Sequence, residues 1–129
     1  MPCETVQKWE PVTGIPSKLW WMTSLVDKDG LLRIEIEEDQ NKSSWAFTFD
    51  HCLSYRNTDE GDRLEFLSEL QGQESWSLYT VKNSTYEKWF NRESFSKWEG
   101  NQIYHFVFFT QDDLIDVLSF EPPRVERMR

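Results

Sequence analysis

The stretch from Leu19 to Phe49 constrains the fold of this chain more than any other. Its first run, LWWMTSLV, is rich in residues that suit a pleated surface and ends at Asp27-Lys28-Asp29-Gly30, where Gly30 can take the positive φ of a tight hairpin. LLRIEIE then alternates, with Leu32, Ile34 and Ile36 on one face and Arg33, Glu35 and Glu37 on the other. One face is therefore buried and the other wet. The polar segment EDQNKS makes a second turn, and Ser44 to Phe49 alternates again, collecting Trp45, Phe47 and Phe49 on one side. Three antiparallel strands in a meander are predicted.

The flanking segments complete an α+β pattern. Residues 1–17 hold Pro2, Pro11, Gly14 and Pro16 and read as an extended amino-terminal arm, pinned by Trp9. In GDRLEFLSELQG, Leu64, Leu67 and Leu70 recur at helical spacing and Gly72 stands where a left-handed cap ends the segment. SWSLYTV, residues 75–81, returns to period two. Ser84-Thr85-Tyr86-Glu87 has the form of a capping box, which predicts a second helix over Thr85 to Glu93 with Tyr86, Trp89 and Phe90 on one face. QIYHFVFFT is apolar on both faces, as a covered central strand is, and LIDVLSF supplies a last strand before Pro122-Pro123. Residues 121–129 read as a carboxy-terminal tail. The expectation is one domain over residues 1–129, an α+β fold with a single, mostly antiparallel sheet of about six strands and two helices packed against it.

Charge narrows the function classes. Twenty-three acidic residues against 14 basic ones give a net charge of -9, which repels a nucleic-acid backbone and an anionic membrane and favours encounter with a cationic protein. The start MPCETVQKWEP lacks a basic segment followed by an apolar one, so a cytoplasmic, non-secreted chain is expected, with Cys3 and Cys52 as free thiols. His51, Cys52, Cys3 and His105 lack the short repeated spacing of a zinc site, and NTDEGD lacks the alternating ligands of a calcium loop; neither metal nor cofactor is expected. His105 lies between Tyr104 and Phe106 and shares a strand face with Ile103 and Val107, where a hydrogen-bonded core histidine is the commoner role. Paired carboxylates at Glu60 and Asp62, or at Asp113 and Asp116, stand in or near turns with no phosphate loop or nucleophile elbow beside them.

The segment YRNTDEGDRL, residues 55–64, concentrates the polar groups. Thr58 or Asp59 can cap the coming helix, Gly61 allows a turn, and Arg63 can pair with Glu60. Tyr55, Arg56 and Asn57 are needed by no cap and suit contact with a partner. With Glu60, Asp62, Asp112 and Asp113 they form the predicted partner-binding set.

YRNTDEGDRL, SLYTVKNSTYEKWFNRES, YHFVFFTQDDLIDVLS and EPPRV together resemble a family of small bacterial proteins with a strand ending in YRN-x-x-E, an LY-x-V-x-NS-x-Y-x-x-WF segment and a closing IDVLS-x-x-P strand. The resemblance covers residues 45 to 125 and departs from the pattern in FNRESFSKWEG. Short acidic proteins of this kind look like the immunity partners of polymorphic toxins, and the resemblance brings no catalytic residue with it. It implies a non-enzymatic, protein-binding role against a basic toxin domain. Two other readings stand beside it: a ligand-binding or hydrolase-like domain with a cleft around His105, Tyr55, Arg56 and Glu60, and an adaptor that dimerises through an exposed strand edge.

Overall fold

The computed structural model describes residues 4–16, 18–19, 21–39, 43–70 and 76–128. The expectations for Cys3 and for the cap at Gly72 lie outside them. Among the described residues nine strands run in chain order: β1 (Thr5–Lys8), β2 (Trp21–Lys28), β3 (Leu31–Glu37), β4 (Ser44–Phe49), β5 (Cys52–Asp59), β6 (Leu78–Lys82), β7 (Tyr104–Phe109), β8 (Asp113–Ser119) and β9 (Arg124–Arg127). Helix α1 (Leu64–Glu69) follows β5, and α2 (Thr85–Glu93) lies between β6 and β7.

The strands form two antiparallel sheets, ordered β1-β6-β7-β8-β5 and β2-β3-β4-β9. Their inner faces meet: Phe47 and Phe49 of the smaller sheet pack against Phe106 and Phe108 of the larger, with the Phe47 and Phe108 ring centroids 5.0 Å apart. Trp9, from the segment after β1, inserts between them, 4.6 Å from Phe106. Each such fully buried apolar side chain contributes about 1.5–3 kcal/mol relative to exposure, which makes this layer the main stabilising unit. The outer face of the larger sheet is covered by the helices. Phe66 of α1 and Leu70 pack on Tyr79, Val81, Val107 and Leu114, while Tyr86 and Phe90 of α2 pack near Ile103 and Leu118.

The expected single sheet with two helices is therefore corrected to a mostly β architecture of two sheets. Period-two patterning reports that one face of a strand is buried, and says nothing about what buries it. Leu32, Ile34 and Ile36 face the second sheet rather than a helix. Three further strands were hidden for a common reason. β1 lies in the stretch read as an arm, β9 in the stretch read as a tail, and β5 in YRNTDEGDRL; all three are sheet edges. Edge strands carry polar and charged residues that keep the open side from pairing further, so they lack the apolar signature of inner strands. In β5 a bulge between Cys52 and Ser54 also breaks the alternation.

Local chemistry agrees with the structure in two places. Asp29 and Gly30 both have positive φ (55° and 79°), the geometry of a two-residue type I′ turn, which joins β2 to β3. Ser84 caps α2, its Oγ accepting the Glu87 N–H at 2.9 Å.

Candidate functional site

Alternation along β8 directs Ile115 and Val117 inward and Leu114, Asp116 and Leu118 outward beneath the helices. A carboxylate thus stands in the middle of an otherwise apolar strand face, and Asp116 is completely buried. An isolated charge there would be prohibitively desolvated, so it needs donors. Arg56 on β5, opposite it in register, supplies Nε at 3.0 Å to Oδ2. Arg63, just before α1, brings Nη1 to the same oxygen. His105 on β7 brings Nε2 to within 2.7 Å of Oδ1. Burial on its own would raise the Asp116 carboxyl, but the hydrogen bonds from His105 and Arg63 and the charge of Arg56 outweigh it and hold the group well below the usual carboxylate range.

The chain of contacts continues through the histidine. His105 Nδ1 lies 2.7 Å from Ser84 Oγ, the atom that caps α2. With Asp116 ionised, Nε2 carries the hydrogen donated to it, and Ser84 can donate its hydroxyl to Nδ1 while accepting from Glu87. One carboxylate therefore ties together β5, β7, β8, the start of α1 and the cap of α2.

Ser84, His105 and Asp116 are the residue types of a hydrolytic triad, but their wiring is reversed. In that mechanism the nucleophile is bound to Nε2 and the acid to Nδ1. Here the acid is on Nε2 and the hydroxyl on Nδ1. Ser84 is also buried, with 2 % exposure, and the Tyr86 ring stands edge-on over the imidazole at 5.6 Å. A substrate carbonyl has no approach to Ser84. The arrangement acts as a structural tie rather than a nucleophile.

Above this tie the surface is aromatic. The Arg56 guanidinium lies 4.2 Å over the Tyr86 ring, and Trp89 stacks on the same tyrosine at 5.8 Å. Ser54, Tyr55, Arg56, Tyr86 and Trp89 line an open cleft of about 300 Å³. A second, of about 330 Å³, lies beyond Trp89. A third, of about 220 Å³, runs between the β2–β3 hairpin and β5, with Asp27, Cys52 and Tyr55 in its lining.

The predicted partner-binding residues divide into two groups. Tyr55 packs on the inter-sheet core and donates its hydroxyl to Asp27 at 3.3 Å. Arg56 is committed to Asp116, and Asn57 is exposed on β5. Glu60 and Asp62 lie in a 3₁₀ turn after β5, capped by Asp59, whose Oδ1 accepts the Gly61 N–H. The β7–β8 turn brings Asp112 and Asp113 beside it: the Glu60 N–H donates to the Asp112 carbonyl at 3.1 Å, and Asp59 stands opposite Asp113 in register. Arg63 does not make the expected ion pair with Glu60. Its side chain crosses to Asp116, because a buried carboxylate offers a stronger partner than a solvated one.

No protein family, curated protein or solved structure matches the chain. Among the described residues, no group of three or more His, Cys, Asp or Glu is arranged to hold a metal ion, and no helix is long and apolar enough to cross a membrane.

Sequence reasoning missed the central role of Asp116, read only as a member of a turn-side pair, and the link from Ser84 to His105. The signal for the first was present: in LIDVLS a charge interrupts an outward apolar series, Leu114, Asp116, Leu118. Such a residue must be paired. Nothing local points to Arg56, Arg63 or His105 as the partners.

Proposed function

We propose that this chain is a non-enzymatic protein-binding domain that occludes a basic partner, as an immunity protein neutralises a cationic toxin domain. The observation that carries the reading is the acidic corner, where Asp59, Glu60 and Asp62 from one stretch and Asp112 and Asp113 from another converge through the Glu60–Asp112 backbone bond and the β5–β8 register. The Arg63 guanidinium, which follows this stretch directly, is drawn to the buried Asp116 rather than to Glu60 or Asp62. A net charge of -9 adds long-range attraction for a cationic surface. Asn57 on the adjoining strand is exposed and offers hydrogen bonds at the rim.

The alternative of a catalytic or ligand cleft around His105, Tyr55 and Glu60 lacks comparable support. Both imidazole nitrogens are engaged internally, and the Tyr55 hydroxyl turns to Asp27.

The test is binding of the purified chain to the product of the adjacent gene, with Glu60 and Asp62 reversed to Lys in the comparison variant. Steering by the corner predicts an association rate lowered by about tenfold at low salt and a smaller change in dissociation. Absence of binding by the unaltered chain, or equal rates for the two, would remove the reading.

A further inference from the structure

The buried tie at Asp116 holds one cation more than it needs. The carboxylate already has Arg63 on Oδ2 and His105 on Oδ1, and one guanidinium balances its single charge. Arg56 is a second, bound through Nε alone. Its Nη1 and Nη2 carry the other four N–H donors of the guanidinium, and no described residue accepts from them. The Arg63 side chain is 17 % exposed and that of Arg56 43 %, so the surplus charge comes to the surface at Arg56.

The free end of this fork is fixed in place. Asp116 holds one edge of the guanidinium, and the Tyr86 ring supports its face at 4.2 Å. An arginine that served solubility alone would keep its rotamer freedom; this one is held by two contacts before any ligand arrives, which favours recognition of a planar anion. Trp89, one turn beyond Tyr86 on α2, lies nearly parallel to that ring at 25° and is 44 % exposed. A flat apolar surface therefore stands beside the donors, on the wall of the same cleft of about 300 Å³. Ser54 and Tyr86, also in its lining, hydrogen-bond to each other through their hydroxyls. Whichever of the two accepts keeps its own hydrogen, and no described residue takes it up.

Unpaired donors at the end of a guanidinium suit an oxyanion, and the local balance limits its charge. With His105 neutral, Asp116, Arg56 and Arg63 together carry one positive charge, which matches a carboxylate and falls short of a phosphate dianion. None of the five lining residues is acidic, and the net charge of -9 is screened beyond about 8 Å at physiological salt. The exposed indole of Trp89 suits a flat aromatic body on the same ligand. Clefts that take small molecules begin at about this volume. We propose that the cleft binds a small aromatic carboxylate, its carboxylate on the Nη end of Arg56 and its ring against Trp89. The acidic corner lies outside the lining, so the two sites act on different ligands.

Naphthoate and its uncharged isostere naphthamide, titrated into the nitrogen-labelled full chain and followed by NMR, test this. Naphthoate is expected to shift the Trp89 indole N–H saturably, with a Kd of about a millimolar or tighter, and naphthamide to bind at least about tenfold more weakly. Arg56→Lys keeps a cation beside Asp116 but loses the two-donor end; it should weaken naphthoate by about tenfold and leave naphthamide unchanged. Trp89→Ala, at a half-exposed position outside the tie, should weaken both. The ratio of the two probes and Trp89→Ala decide the matter even where Arg56→Lys fails to fold. No saturable binding at several millimolar, equal affinities for the two probes, or naphthoate binding indifferent to both substitutions would overturn the proposal. So would a Gly-Gly-Trp peptide that binds more than tenfold tighter than naphthoate, by assigning the cleft to the carboxylate end of a polypeptide.

Discussion

His105 Nε2 and Asp116 Oδ1 stand 2.7 Å apart on neighbouring strands as diagonal partners, because His105 is opposite Leu118 and Asp116 is opposite Val107. Arg56 faces the same aspartate from the other side, directly across β5–β8. The outer face of the larger sheet is thus cross-linked over three strands at one level, and Arg63 and Ser84 extend the link to both helices.

Removing the carboxylate should be severe. Asp116→Ala leaves Arg63, 17 % exposed, and buried His105 without their acceptor, and breaking a buried ion pair from one side costs about 3–5 kcal/mol. Against a typical total of about 5–15 kcal/mol this is a large fraction. Urea denaturation followed by tryptophan fluorescence reads it directly; a loss below about 1 kcal/mol, the scale of an exposed pair, would show that the tie is not holding the helices.

Acid should act through the same group. The folded carboxyl titrates below its unfolded value of about 3.9, so the unfolded chain binds more protons in that range and stability falls with falling pH. The contribution is complete above the unfolded value and is lost as pH drops through it toward the folded one. The melting temperature of the wild type is expected to fall steeply below about pH 4, and that of Asp116→Asn, which has no such proton to take up, to fall less. Parallel curves for the two proteins would assign acid sensitivity to other carboxylates.

Ser84 serves two elements with one atom. Ser84→Ala removes the cap of α2 and leaves His105 Nδ1 buried without a partner, for a combined loss of about 2–4 kcal/mol. Ser84→Thr keeps the hydroxyl and should recover most of that loss in the same denaturation experiment. Equal destabilisation by both substitutions would point to crowding at the site instead of hydrogen bonding.

Cys52 should be a poor nucleophile. Burial pushes its thiol up to about 11, and Sγ lies 3.6 Å from the Ser54 carbonyl, to which the S–H can donate. In a Cys3→Ser background, alkylation by iodoacetamide at pH 8 is expected to be about a hundredfold slower for the folded chain than for the urea-unfolded one, whose thiol titrates normally. Comparable rates in both states would mean that the β5 edge opens readily around the bulge.

Much of the local structure was legible in the residues themselves. The Asp29-Gly30 turn, the buried series Leu32, Ile34, Ile36, and the span of α2 with its serine cap are all short-range consequences of side-chain shape and hydrogen bonding. Edge strands β1, β5 and β9 were not legible, since their pairing rests on backbone bonds that any sequence can make and their side chains are selected to stay polar. Of the proposed site, the acidic residues were recognisable as charges, yet their convergence at one corner depends on the β5–β8 register.

Which faces must be buried, where the chain turns and how α2 begins all follow from the order of residues, because those properties are set by neighbours within a few positions. That two sheets cover one another, and that Asp116 meets Arg56, 60 residues earlier in the chain, emerges only from the packed fold. Burial of a charge creates a demand for partners without naming them. Strand order and register, settled by packing over the whole molecule, determine which distant side chains stand close enough to meet it.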